Sequence, residues 1–241
     1  MASEIERKFL IVSNDWFALS KDQPRLLKQA YLPKNQKRHT RLFLEFDAAA
    51  RGVHIILQND RVRRVYPAQN ITLNDVKQIS EYNPETGEVL LEGPVEARVR
   101  RESGKPYGPD FYMRDVFAIK KYSEDFSQRV ECEAVISHGM HAWQMYSGWC
   151  EFHVEKFRHT IPYEGHKWEV DQYLDKNQGL ITADVEVKDA SEFNTIAMLP
   201  GTGEDVTDVV ELRNQYLGEH GAPMQYRRHS LSIGPVEPFT I

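Results

Sequence analysis

The chain has 241 residues, 41% hydrophobic and 27% charged, with a net charge of −6 at pH 7. Its 4 Trp, 11 Tyr and 11 Phe exclude a disordered chain, no run of about 18 apolar residues exists to cross a bilayer as a helix, and the acidic balance argues against a general nucleic-acid binder. The 2 cysteines, Cys132 and Cys150, form no CxxC pair, which excludes a disulfide framework and a thiolate zinc site and points to a reducing cytoplasm.

The N-terminus, Met1 to Lys8, is charged where a secretory signal needs its apolar stretch. Residues 4–12 read as a first strand, and Leu26–Leu32 as a second. From about Pro33 to Pro94 the texture changes to basic clusters, an Ala-Ala-Ala turn, a strand at Val53–Gln58 and a short helix near Leu73–Tyr82, which together read as an insertion. Beyond it, strands are expected at 95–102, 111–121, 128–136, 151–161, 167–174 and 181–188, separated by turn residues. Ser137–Ser147 and Glu204–Leu217 read as helices, the second with Val206, Val209, Val210 and Leu217 spaced for one buried face. Residues 1–217 are expected to form one domain interrupted at about 33–94, with 218–241 as a tail. Many strands, few helices and no βαβ rhythm indicate a largely antiparallel α+β protein.

In a strand, residues i, i+2 and i+4 share a face. Glu4, Glu6 and Lys8 therefore lie together, opposite Ile5, Arg7 and Phe9. Charges straddle apolar residues in the same way at Arg98/Arg100, Glu131/Glu133 (with Arg129), Lys156/Arg158, Glu169/Asp171 and Asp184/Glu186, and Lys120 adds a further cation. A two-faced sheet with one wet side would produce any one of these pairs. Their repetition on seven strands, with hardly any Ser, Thr or Gln between them, predicts an antiparallel barrel, closed or nearly so. Such a barrel would turn its charges into one lumen and its apolar residues outward, under covering helices. Carboxylate clusters without His or Cys partners select hard cations, Mg²⁺ or Mn²⁺. Lys and Arg held at fixed positions suit phosphate oxygens, so the two sets together describe a site for a polyphosphate and its metal.

The ordered set Glu4-Ile5-Glu6-Arg7-Lys8, Arg98-Val99-Arg100, Ile119-Lys120, Arg129-Val130-Glu131-Cys132-Glu133, Lys156-Phe157-Arg158, Trp168-Glu169-Val170-Asp171 and Asp184-Val185-Glu186 resembles the CYTH, or triphosphate tunnel metalloenzyme, family over roughly residues 4–32 and 95–217. Asp205-Val206-Thr207 through Arg213-Asn214-Gln215-Tyr216-Leu217 looks like the closing helix of that family. The resemblance implies an eight-stranded tunnel that binds a triphosphate with a divalent metal. Members hydrolyse inorganic, nucleoside or thiamine triphosphate, and one branch cyclises ATP to cyclic AMP. The opening EIERKFL is similar to the triphosphatase branch, with the cyclase and a non-catalytic binding module as alternatives. A second RxR at Arg61-Val62-Arg63 competes with Arg98/Arg100, which are preferred because the Lys120 strand follows them. Asp184 stands where the family usually has Glu.

As implied by the resemblance, Glu4, Glu6 and Glu186 hold a metal, with Asp184 beside them. Glu131, Glu133, Glu169 or Asp171 organise a second metal or the attacking water. Lys8, Arg98, Arg100, Lys120, Lys156 and Arg158 neutralise phosphoryl charge, and Arg129 either does the same or pairs with a glutamate. Glu4, Glu6, Glu131, Glu133 and Lys8 are the expected catalytic group. A small-molecule triphosphate is the expected partner, with a homodimer compatible and neither nucleic acid nor membrane involved. The histidines at 138, 141, 153, 159 and 166 lack an HExxH pattern and read as surface or partly buried side chains. Gly201-Thr202-Gly203 lacks the GK[ST] of a phosphate loop and reads as a turn.

Overall fold

Alternating side chains build the main sheet of this computed structural model, which describes residues 4–31, 41–47, 52–58, 63–67, 81–82, 88–90, 95–105, 112–122, 128–136, 143, 147–148, 150, 152–187, 189–228 and 231. The strands in chain order are β1 (Glu4–Ile11), β2 (Arg25–Tyr31), β3 (Arg41–Asp47), β4 (Gly52–Gln58), β5 (Arg63–Pro67), β6 (Glu81–Tyr82) and β7 (Glu88–Leu90). They continue with β8 (Val95–Gly104), β9 (Tyr112–Tyr122), β10 (Gln128–Ile136), β11 (Phe152–Tyr163), β12 (His166–Tyr173), β13 (Ile181–Val187) and β14 (Thr202–Asp205). Nine of them share one mostly antiparallel sheet in the order β10-β9-β8-β2-β11-β12-β13-β1-β14. The expected count was eight. The ninth, β14, pairs with the outer part of β1 through Phe9–Asp205 and Ile11–Thr202.

Two compact units divide the chain. The first holds residues 29–101 and 114–152. Within it the expected insertion carries its own five-stranded sheet, β5-β4-β3-β7-β6, of which only β4 was anticipated. Val53 and Ile56 are buried in that sheet, and Tyr66 packs its ring 5.1 Å from that of Phe117. The helix expected at Leu73–Tyr82 lies outside the described residues apart from Glu81 and Tyr82, which are strand. That expected at Ser137–Ser147 lies mostly outside them too.

The second unit holds residues 2–28, 102–113 and 153–241, and its core follows the alternation residue for residue. Phe9 and Ile11 from β1, Ile161 from β11, Trp168 and Val170 from β12, and Ile181, Ala183 and Val185 from β13 bury one face of the sheet. Trp16 and Leu199 complete this core, with Phe193, Ile196 and Leu231 packed against it. Arg7 shares the apolar face, ion-paired to Asp205, and its guanidinium lies 5.0 Å from the Phe193 ring centroid. Of the turn expected at Gly201-Thr202-Gly203, only Gly201 is turn, and Thr202 and Gly203 open β14. Gly201 has φ +88°, and a Cβ there would come within 2.6 Å of the Ser13 carbonyl oxygen.

The helix expected at Glu204–Leu217 is corrected. Glu204 and Asp205 are strand, a 3-10 turn spans Val210–Leu212, and the α-helix, α1, runs from Asn214 to His220. Asp205 accepts from the Thr207 backbone N–H and hydroxyl, and the Val206 N–H donates to the Lys8 carbonyl, so the segment is spent on turn and sheet bonds. Val206, Leu212 and Leu217 are buried, whereas Val210 is exposed. The expected tail is docked through Arg228, whose N–H donates to Gly179, and Arg227 Nη2, which donates to the Lys176 carbonyl at 2.6 Å.

His159 sits on the apolar face, 2% exposed, with its ring 5.0 Å from that of Trp16 and its Nδ1 3.0 Å from Ser20 Oγ. Burial pushes its pKa down to about 4, against the pull of Asp171. The unfolded chain therefore takes up this proton first. The associated stability is complete above about pH 6.5 and is lost as the pH falls toward 4, reaching about 2 kcal/mol at pH 5. Urea unfolding at pH 7.5 and pH 5.0 tests this: His159→Gln should lose less stability over that interval than the parent. Equal losses would refute a buried, neutral His159.

Candidate functional site

The face opposite the core carries the charges, arranged in rungs across four strands of the second unit. On the first rung Glu6 of β1 stands directly opposite Glu186 of β13. On the next, Lys8 faces Asp184, which faces Glu169 of β12, which faces Thr160 of β11. Asp171 then faces both Thr182 and Arg158, and Tyr173 faces Lys156. Period-two alternation puts all these side chains on one side, and the hydrophobic demand of the other side fixes that register.

Each cation has a defined carboxylate. Lys8 Nζ donates to Asp184 Oδ1 at 2.6 Å. Arg158 grips Asp171 with two N–H groups, Nε to Oδ1 and Nη2 to Oδ2, each at 2.7 Å. Its Nη1 also donates to Glu169, and its Nη2 lies 3.8 Å from Asp184. Lys156 Nζ, fully buried, donates to Asp171 Oδ2 at 2.5 Å.

These pairings set the titration. Burial alone would raise the Asp171 carboxyl, yet Arg158 and Lys156 hold it well below the usual carboxylate range. Glu169 is likewise brought down to about 2, burial being overcome by Arg158 and Lys167. Burial lowers Lys8, but Asp184, with Tyr173 and Asp171 behind it, lifts it above the usual lysine value. Lys156 goes the other way, to about 7, because burial, Arg158 and Lys8 outweigh Asp171, whose charge Arg158 already engages. The face thus carries ionised carboxylates interleaved with buried cations.

The first unit holds a second set. Arg98 and Arg100 are buried on β8, Arg98 lying 3.6 Å from Glu96 and Arg100 Nη2 donating to Glu133 at 2.9 Å. Lys120, also buried, is directly opposite Glu131 in the β9–β10 register, and Arg129 is opposite Tyr122. The side chains of Glu4, Arg129 and Glu131 lie outside the described residues, as does the competing Arg61. Among the described residues, no three His, Cys, Asp or Glu side chains gather around a single point.

Sequence reasoning missed three residues of the second unit's charged face. Arg25 donates to Glu102 at 3.3 Å and lies 3.8 Å from Glu169, but Leu27 breaks the charge alternation on β2 and hides it. Tyr173 and Asn214 carry no charge, so a reading based on charge had no signal for them. Their hydroxyl and amide meet beside Lys156, at 2.8 Å.

No family model matches the chain. A curated inorganic triphosphatase from Acetivibrio thermocellus is 44% identical over 36 residues, a stretch that covers 15% of this chain and only 23% of that relative. The solved inorganic triphosphatase NE1496 aligns over 90% of this chain and 95% of its own, with 18% identity and a TM-score of 0.47. A conserved hypothetical protein from Pyrococcus furiosus aligns over 80% and 84%, with 13% identity and a TM-score of 0.41. The curated relative's name agrees with the resemblance read from the sequence. No helix among the described residues is long and apolar enough to cross a membrane.

Proposed function

We propose that this chain is a member of the CYTH, or triphosphate tunnel metalloenzyme, family, that the charged face of its second unit lines the substrate site, and that it hydrolyses a triphosphate with Mg²⁺ or Mn²⁺. The observation that carries this reading is the second unit's charged face, where Lys8, Lys156 and Arg158 are interleaved with Glu169, Asp171 and Asp184 opposite a closed apolar core. A structural ion-pair lattice on that scale is a poor route to stability, because desolvating each charge costs as much as pairing returns. Binding a highly charged, metal-complexed anion gives the lattice a purpose.

The donor chemistry fits a hard divalent cation. Glu6 and Glu186 stand directly opposite one another, and two carboxylates on adjacent strands supply oxygen donors of the kind a hard cation takes. Glu6 and Glu186 would hold the metal with Asp184, one alternate position along β13, and the sequence pattern assigns Glu4 to the same set. When bound, it supplies charge neutralisation on phosphate oxygens and lowers the pKa of a ligated water. Lys8 and Arg158, both held protonated by their carboxylates, remain cationic throughout the neutral range and balance charge on the phosphoryl oxygens. Lys156 contributes a third cation while protonated. Asp171 and Glu169 stay ionised and orient those cations, and Glu169, the more exposed of the two, can accept a hydrogen bond from the attacking water. Attack by water on the terminal phosphorus breaks its bond to the bridging oxygen and releases phosphate and diphosphate.

Product analysis tests the proposal. Purified protein with inorganic triphosphate, ATP or thiamine triphosphate should release phosphate only when Mg²⁺ or Mn²⁺ is present. Diphosphate accompanied by a cyclic nucleotide from ATP would instead assign a cyclase. Binding with no turnover of any of the three would leave a polyphosphate-binding module.

A further inference from the structure

Asn214 is the first residue of α1, and its side chain reaches the charged face of the sheet. Its Oδ1 accepts a hydrogen bond from the Tyr173 hydroxyl at 2.8 Å and a second from Lys156 Nζ at 3.3 Å. Both partners are donors, so the amide must present its oxygen to them, and the two lone pairs of that oxygen are both in use. Lys156 has three N–H groups. One goes to Asp171 Oδ2 at 2.5 Å and one to Asn214, while the Tyr173 ring lies beneath the ammonium with its centroid 5.0 Å away. Asp171 is shared, since Arg158 also donates to both of its oxygens, and Asn214 supplies a second oxygen acceptor to the ammonium. The helix that delivers Asn214 is pinned at its far end, where Lys176 Nζ donates to the Gly218 carbonyl and Arg227 in turn donates to the Lys176 carbonyl.

We propose that Asn214 is a positioning residue of this site: it clamps the buried Lys156 ammonium between Asp171 and Tyr173, and so holds Asp171 and, through it, the partly exposed Arg158 in place for a phosphate oxygen of the substrate. The role in substrate binding rests on the triphosphate reading above; the clamp itself does not. A clamp acts on the bound ground state as much as on the transition state, so its loss shows in KM more than in kcat.

Two readouts on Asn214→Ala test it, with the thermal midpoint as a check on folding. The KM for inorganic triphosphate should rise about five- to tenfold, the worth of one hydrogen bond, with kcat within about twofold. In substrate-free protein, acetic anhydride labelling of Lys156, followed by mass spectrometry, should run several times faster. Asn214→Asp, which keeps an acceptor oxygen, should return the labelling to its parental rate. Unchanged labelling overturns the clamp, and faster labelling with an unchanged KM overturns its role in binding. If parental protein turns over none of inorganic triphosphate, ATP and thiamine triphosphate while Asn214→Ala still exposes Lys156, the triphosphate reading fails and the clamp stands. Should Asn214→Ala not fold, Tyr173→Phe is read by the same criteria, since it removes the hydroxyl that orients the amide and keeps the ring.

Discussion

Asp171→Asn is expected to destabilise the protein by about 3–5 kcal/mol and to abolish turnover, the largest combined effect of any single change on the charged face. Asp171 is fully buried and is gripped by Arg158 through two N–H groups and by Lys156 through a third. The amide keeps the shape but removes the negative charge, and its NH₂ presents donors to donors. Arg158 retains Glu169, and Lys156, already lowered to about 7, can give up its proton, so the loss should fall nearer 3 than 5 kcal/mol. Adding Lys156→Met to Asp171→Asn removes one of the stranded cations. The double variant should recover part of the loss, giving a coupling of about 1–3 kcal/mol between the two sites. Urea unfolding of the four proteins measures this. Additive losses, or a loss under about 1 kcal/mol for Asp171→Asn, would mean that the pair is not desolvated as described.

The period of two explains why this face could be read from the chain. Charges at Lys156/Arg158, Glu169/Asp171 and Asp184/Glu186 straddle Phe157, Val170 and Val185, and Val170 and Val185 lie in the core. A strand that buries one face on a core has no freedom to slip, so apolar positions dictate where the intervening charges go. That logic ends where side chains are neutral or local bonds compete. Tyr173 and Asn214 meet only because β12 and α1 are brought together by the fold, a contact 41 residues apart that no spacing rule encodes. The segment from 204 had apolar residues at helical intervals, yet an aspartate that bonds two residues ahead drew it into a turn and a short strand. In the insertion, the sequence Arg41-Leu42-Phe43-Leu44-Glu45-Phe46-Asp47 sets Phe43 in the same alternate positions as Arg41, Glu45 and Asp47. Its alternation is blurred, and four of the five strands there escaped notice.

Glu6→Gln should separate stability from activity. Glu6 is directly opposite Glu186 and lies outside the apolar core, so replacing its carboxylate by an amide keeps the side chain's shape and removes one of two like charges. Without metal, the unfolding free energy should therefore stay within about 1 kcal/mol of the parent. With saturating Mg²⁺ or Mn²⁺ the two proteins should diverge. A cation held by Glu6 and Glu186 stabilises the folded parent by RT ln(1 + [metal]/Kd), about 2.7 kcal/mol at a hundredfold excess over Kd, and raises its melting temperature accordingly. Glu6→Gln should show little of that rise and lose metal-dependent turnover by a factor of at least about 100, the scale on which ligated charge contributes to phosphoryl transfer. Thermal melts with and without metal give the first quantity and phosphate release gives the second. A variant with parental turnover would remove Glu6 from the reaction. A variant that keeps the full metal-induced rise but loses turnover would place the metal elsewhere on the face, with Asp184 the next carboxylate to test because it stands one rung from Glu186 and already orients Lys8.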